Sequence, residues 1–210
     1  MTKESMMKYQ VIFRYIAPTL LCCVTAHAGT ISSFNFDTDA LGTATTFADT
    51  NNGISAIFSS PADPGGFAVS PSIFETLTGN VLGDPGPAQV SNIPLDINFS
   101  QDLSALTLTF ATADFSTPSP LTVQAFENST PVGSNTLSGQ FLPGFTFPEG
   151  EIAFSGATFN NVVISTTAPD FSVDNIQVIT AATAPEPGTL AMMAAGVLLS
   201  GLGAIRRRQR

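Results

Sequence analysis

Between residues 29 and 179, apolar and polar positions alternate in short runs broken by glycine, proline, asparagine and aspartate. "PLDINF" places Leu95, Ile97 and Phe99 on one side of an extended chain. "ALTLTF" does the same with Leu106, Leu108 and Phe110, and "LTVQAF" with Leu121, Val123 and Ala125; "FNNVVIST" and "FSVDNIQVI" follow. A period of two over such short runs marks strands with one buried face. "PADPGG" at 61–66 and "GDPGP" at 83–87 supply turns between them. No stretch of this segment keeps a helical period. The pattern predicts an all-β domain, an antiparallel β-sandwich of jelly-roll-like form, with roughly nine or ten strands over about 150 residues. One run breaks phase. Phe171 and Val173 share parity, Ile176 and Val178 have the opposite parity, and the slip at Asp174-Asn175 predicts a β-bulge.

At both ends the pattern changes. Lys3, Lys8 and Arg14 precede a short apolar core, "IAPTLLCCV" at 16–24, and then "AHA" at 26–28. A basic region, an apolar core and a small-x-small site read as a secretory signal peptide over 1–28, with Ala26 and Ala28 forming the cleavage site. Met7 offers an alternative start with a more compact basic region. Cleavage after Ala28 removes Cys22 and Cys23, so the exported segment has no disulfide and depends on its core. At the other end, 189–205 carries no charge and is rich in Leu, Met and Ala. As a helix it would span roughly 25 Å, at the short end for a membrane crossing. Gly196, Ser200 and Ala204 would give it a small-residue face. A single transmembrane helix is expected there. The basic tail at 206–210 would stay in the cytoplasm, and everything before residue 185 outside. The segments are therefore 1–28, the β-domain 29–179, a linker with a Pro-Glu-Pro triplet at 180–188, the helix 189–205 and the tail 206–210.

Charge narrows the chemistry. The formal net charge is −9, and every basic residue lies before residue 15 or after residue 205. Between 29 and 187 there is no Lys, Arg, His, Cys, Tyr or Trp, yet this stretch holds every carboxylate of the chain except Glu4. Nucleic acid is excluded as a partner, because neutralising phosphates needs Lys or Arg. Nucleophiles activated by His or Lys cannot be assembled. The usual zinc ligands are missing, whereas carboxylates and carbonyls suit calcium. All phenylalanines except Phe13 fall in the β-domain, where they supply the core bulk that Trp and Tyr would otherwise provide.

Pro185, Glu186 and Pro187, the apolar helix behind them, and Arg206, Arg207 and Arg208 at the end together resemble the PEP-CTERM sorting signal. The resemblance implies recognition of the triplet by an exosortase, a membrane transpeptidase-like enzyme of Gram-negative bacteria that make exopolysaccharide. It implies a precursor held in the inner membrane and a mature form at the cell surface, outer envelope or extracellular matrix. In that reading the three arginines stop translocation. A second resemblance lies in Asp174, Asn175, Ile176 and Val178, whose "DNI.V" pattern is similar to the final strand of galactose-binding-like jelly rolls. It implies a structural calcium held by Asp174 with acids near the first strand, here Asp37 and Asp39 of "FNFDTDALG". Solvated turn carboxylates are the alternative for the same three residues. An EF-hand does not fit, because the twelfth position of that stretch is Ala48.

Three functions follow. The first is a non-enzymatic, exopolysaccharide-associated surface protein. The alternative is a lectin-like carbohydrate-binding module, with Phe141, Phe145 and Phe147 of "QFLPGFTFPEG" standing in for Trp and Tyr. The remote alternative is a glycoside hydrolase using Glu149 and Glu151, which share a face if extended. No enzymatic activity is expected. Two Asn-X-Ser/Thr tripeptides begin at Asn98 and Asn128, and in a bacterial export context they carry no expectation.

Overall fold

Among the described residues eleven strands form: β1 Ile31–Phe34, β2 Phe47–Asn51, β3 Ile54–Ser59, β4 Ala68–Pro71, β5 Asn80–Gly83, β6 Leu95–Thr112, β7 Pro120–Glu127, β8 Thr130–Ser138, β9 Gln140–Phe141, β10 Pro148–Thr166 and β11 Phe171–Thr180. The structure, a computed structural model, describes residues 29–83 and 93–182. Within these the chain is all-β, every strand pairing is antiparallel and no helix occurs. Gly29–Ala181 make one compact unit. The expected signal peptide with Ala26 and Ala28, the triplet Pro185-Glu186-Pro187, the expected helix over 189–205 and Arg206–Arg208 lie outside the described residues.

Two strands organise the rest. "PLDINF" and "ALTLTF", which read as separate runs, are the two halves of β6, which is 18 residues long. β10 is longer still, at 19 residues. Buried positions in β6 run Leu95, Ile97, Phe99, then Leu103, then Leu106, Leu108, Phe110, so the inward parity changes along the strand. β10 does the same, through Ile152 and Phe154, then Phe159, then Val162 and Ile164, with register breaks on either side of Phe159. Gly156, at φ +99°, takes a backbone conformation that an L-residue avoids. Leu103 and Phe159 face each other across the ladder at this corner, both fully buried. Strands that bend in this way pass from one layer of a sandwich to the other.

On one side of the corner, β6 lies between β3 and the second half of β10, giving the order β2-β3-β6-β10-β7-β8. On the other side it lies between β11 and the first half of β10, and β11 carries β5 and β1 on its far edge. The inward side chains of both layers belong to one hydrophobic cluster. Phenylalanine fills much of it, as expected. Phe34, Phe36 and Phe58 are buried and meet edge to face, and Phe47 stacks on Phe58 at 5.0 Å between ring centroids. Two hairpins close on two-residue turns with positive φ at both central positions, Asn52-Gly53 and Asn128-Ser129, the twist that matches paired strands.

Candidate functional site

The phase slip in β11 is a bulge. Pairing with β6 skips between Asp174 and Gln177, and Asn175 sits at φ +50°. Phe171 and Val173 point inward before the slip, Ile176 and Val178 after it, and Asp174 is carried inward with them to complete burial. Asp174 Oδ1 accepts a hydrogen bond from the Asn175 backbone N–H at 2.7 Å, and Oδ2 accepts from Asn175 Nδ2 at 3.0 Å. Burial pushes the carboxyl up from 3.8 to about 6; the negative charge of Asp37 adds to the rise, while backbone donors at Asn175 and Thr78 oppose it. Asp37 follows Phe36, itself at φ +57°, and its Oδ1 accepts from the Asn80 backbone N–H at 2.9 Å. Gly79, at φ +76°, lies so close to that carboxylate that a Cβ would collide with Asp37 Oδ1.

The trio Asp37, Asp39 and Asp174 does not come together as one group. Among the described residues no set of three His, Cys, Asp or Glu side chains is placed to hold a metal ion. The charge of Asp37 acts on Asp174. Asp39 belongs elsewhere: its N–H donates to Phe36 O at 3.1 Å, and partial burial, then the charge of Asp49, hold its carboxyl above the ordinary range. The division follows from the tight turn after Phe36, which separates two acids only two positions apart. Carboxylates near enough to interact would suit a hard cation completed by carbonyls and water.

Glu149 and Glu151 share a face of β10, as their spacing predicts, and both line a groove of about 330 Å³. Their environments differ. Glu149 is buried and accepts from the backbone N–H groups of Glu75 at 2.9 Å and Thr76 at 2.6 Å, and from Thr76 Oγ1 at 2.6 Å. Its carboxylate anchors the 72–79 connection between β4 and β5. Glu151 is exposed. Of the phenylalanines in "QFLPGFTFPEG", Phe141 is exposed on β9, Phe145 is half-buried, and Phe147 packs between Phe74 and Phe115.

A groove of about 530 Å³ lies on the outer face of the β6–β10–β7 layer. Asp96 and Asn98 reach it from outward positions of β6, Asn160, Asn161 and Val163 from β10, and Phe126, Asn128 and Ser129 from the β7–β8 hairpin. Asp96 Oδ1 accepts from Asn161 Nδ2 at 2.5 Å and from Asn98 Nδ2 at 2.8 Å. Asn160 and Asn128 hold each other: the Asn128 N–H donates to Asn160 Oδ1 at 3.1 Å, and Asn160 Nδ2 to Asn128 Oδ1 at 3.2 Å. Each amide is fixed by its neighbour and keeps further donors and acceptors. No basic group stands among the described residues to attract an anion. The lining is therefore suited to a neutral, hydroxyl-rich ligand, with Phe126 offering an apolar surface. Sequence reasoning missed this site because outward polar residues on a half-buried strand look like a solvated face. The one available signal was that both Asn-X-Ser/Thr tripeptides place their asparagines, Asn98 and Asn128, in the groove.

No protein-family model matches the chain, and no curated protein matches it. Among solved structures it is similar to the CBM22-1 xylan-binding domain of Xyn10C from Paenibacillus barcinonensis, at 14% identity over 76% of this chain and 100% of that one, with a TM-score of 0.41. It is similar to the K2 cleaved adhesin domain of Lys-gingipain at 15% identity, over 71% of this chain and 99% of that one, TM-score 0.41. It is also similar to a family 35 carbohydrate-binding module from Clostridium thermocellum at 18% identity, over 60% and 92% of the two chains, TM-score 0.35.

Proposed function

We propose that the β-domain is a non-enzymatic carbohydrate-binding module, exported and delivered to the cell envelope by its C-terminal sorting signal, where it holds neutral polysaccharide. The groove carries this reading. It joins a carboxylate, interlocked side-chain amides and an aromatic edge in one open channel, without a base that would favour an anionic chain. Delivery rests on the resemblance of Pro185–Pro187, 189–205 and Arg206–Arg208 to the PEP-CTERM signal; in that role Glu186→Ala leaves the precursor uncleaved in the inner membrane.

A glycan array followed by calorimetry on the full chain tests the binding. One neutral polysaccharide, from a panel of linear glucans, xylan and galactomannan, should bind saturably and with little response to salt. Asn161→Ala, which removes one of the two amides held on Asp96, should weaken binding about tenfold, the loss of one to two well-placed hydrogen bonds. Binding confined to acidic polysaccharide, present only with calcium and lost in chelator, would point instead to a cation-bridged surface protein.

Asp37 and Asp174 are the residues that would hold calcium, as a structural ion. Calcium at a hundredfold excess over its Kd would then add about 2.7 kcal/mol to stability. Melting curves that coincide in chelator and in millimolar calcium would remove the ion from the proposal.

A further inference from the structure

The 530 Å³ groove takes its floor from one outward stretch of the β6–β10 ladder, where Asn98 stands opposite Asn161 and Asp96 opposite Val163. The same two strands pass their corner and pair again in the other layer. Their inward positions there are Leu106, Leu108 and Phe110 on β6 and Ile152 and Phe154 on β10. Thr109 and Glu151, directly opposite each other between these positions, therefore point away from the core. The inward residues of both stretches share one hydrophobic cluster, so their outward sides face apart, on the two outside faces of the sandwich. Around Thr109 and Glu151 lies the second groove, of about 330 Å³.

The polar groups of this second groove are accessible and unspent. Ser138 and Gln140 reach it from β8 and β9, and Glu151 from β10; all three are exposed. Their side chains make no hydrogen bond among the described residues. An amide and a hydroxyl each donate and accept, and a carboxylate accepts from two donors, so together they match the hydroxyl groups of a sugar chain. Leu137, 41% exposed, adds an apolar surface. No basic residue stands among the described ones to favour an anion. Carboxylate, amide, hydroxyl and apolar side chain, without a base, repeat the chemistry of the first groove on the opposite face. We infer that the β-domain holds two neutral glycan chains at once, one on each outer face, and so cross-links them. The inference rests on the carbohydrate-binding reading and deepens it: one groove decorates a polysaccharide, whereas two on opposite faces tie separate strands of it together. The second groove is the weaker, because Leu137 stands where the first has Phe126, and an aromatic ring offers more area to a sugar face. No short glycan can fill both, so each groove counts as a separate site.

The test uses the full chain with cellotriose, laminaritriose, xylotriose and mannotriose, and with the corresponding soluble polymers, hydroxyethyl cellulose, laminarin, arabinoxylan and galactomannan. Calorimetry with the trisaccharide that binds should give two sites per chain. Gln140→Ala combined with Glu151→Gln should weaken the second site about tenfold or more and leave the first intact, and Asn161→Ala should do the reverse. Gln140 and Glu151 are exposed, so the double variant should melt with the wild type. With the matching polymer, the wild type should raise low-shear viscosity, and either variant should cancel the rise. One site per chain, weakened by Asn161→Ala and indifferent to the double variant, overturns the second groove and leaves the first standing. One site weakened only by the double variant removes the first groove, and the cross-link with it. Two sites without a rise in viscosity also overturn the cross-link, because a single glycan then runs over both faces. A rise that survives the double variant assigns cross-linking to association between protein chains and overturns it equally. Failure of every probe to bind removes the carbohydrate reading itself.

Discussion

Asp174 shows how one backbone irregularity sets the chemistry of a side chain. The bulge turns it inward, burial raises its carboxyl to about 6, and Asp37 adds its repulsion. A folded-state value above the ordinary 3.8 means that Asp174 adds to stability while protonated. That contribution is complete below pH 3.8 and is lost as pH rises through about 6. At pH 7 in chelator, Asp174→Asn should therefore exceed the wild type by on the order of 1–3 kcal/mol, with the gap closing near pH 4. Urea unfolding across that range reads it out; equal stabilities at both ends would sink the assignment. The slip in parity between Val173 and Ile176 made the bulge legible in the sequence, and with it the special position of Asp174. The company Asp174 keeps was not legible. Whether Asp37 or Asp39 lies near enough to act on it depends on the turn at Phe36, where a bulky residue takes a positive φ that the sequence does not advertise.

Among elements, the 72–79 connection depends most on a single contact. Three donors from Glu75 and Thr76 converge on Glu149, so an otherwise irregular segment is fixed to β10. Glu149→Gln replaces one acceptor oxygen by a donor and removes the charge. It should cost on the order of 2–4 kcal/mol, because hydrogen bonds to charged groups are the stronger ones. Hydrogen exchange should rise first at 72–79; unchanged protection there would show that the carboxylate is not the anchor. The strands themselves were legible wherever one face is buried and the other wet. β7 and the halves of β6 fall where the alternation places them. β8 gave no signal because nearly all of it is exposed, so nothing imposes alternation on it. The continuity of β6 and β10 was hidden by their corners, where the inward parity changes around "FSQD" and Gly156, and in the fold these are bends within a strand.

At the scale of the whole molecule, β6 and β10 bind the two layers into one unit, because each runs through both. Phe159 sits at the crossing, fully buried and edge to face with Phe154 at 5.3 Å. Phe159→Ala should cost about 3–5 kcal/mol and leave a single cooperative transition. Two separated transitions, one for each layer, would contradict a shared corner. The same fold places its first strand beside its last. Ile31 to Phe34 pair residue by residue with Ile179 to Ile176, and the Thr180 N–H donates to Thr30 O at 3.0 Å. A chain crossing a membrane amino end first would deliver β1 long before its partner arrives. The sheet could close only once residue 180 had passed, so in an exported chain translocation of the β-domain would finish before its folding. Until then β1 would be an unpaired edge, open to pairing with another chain.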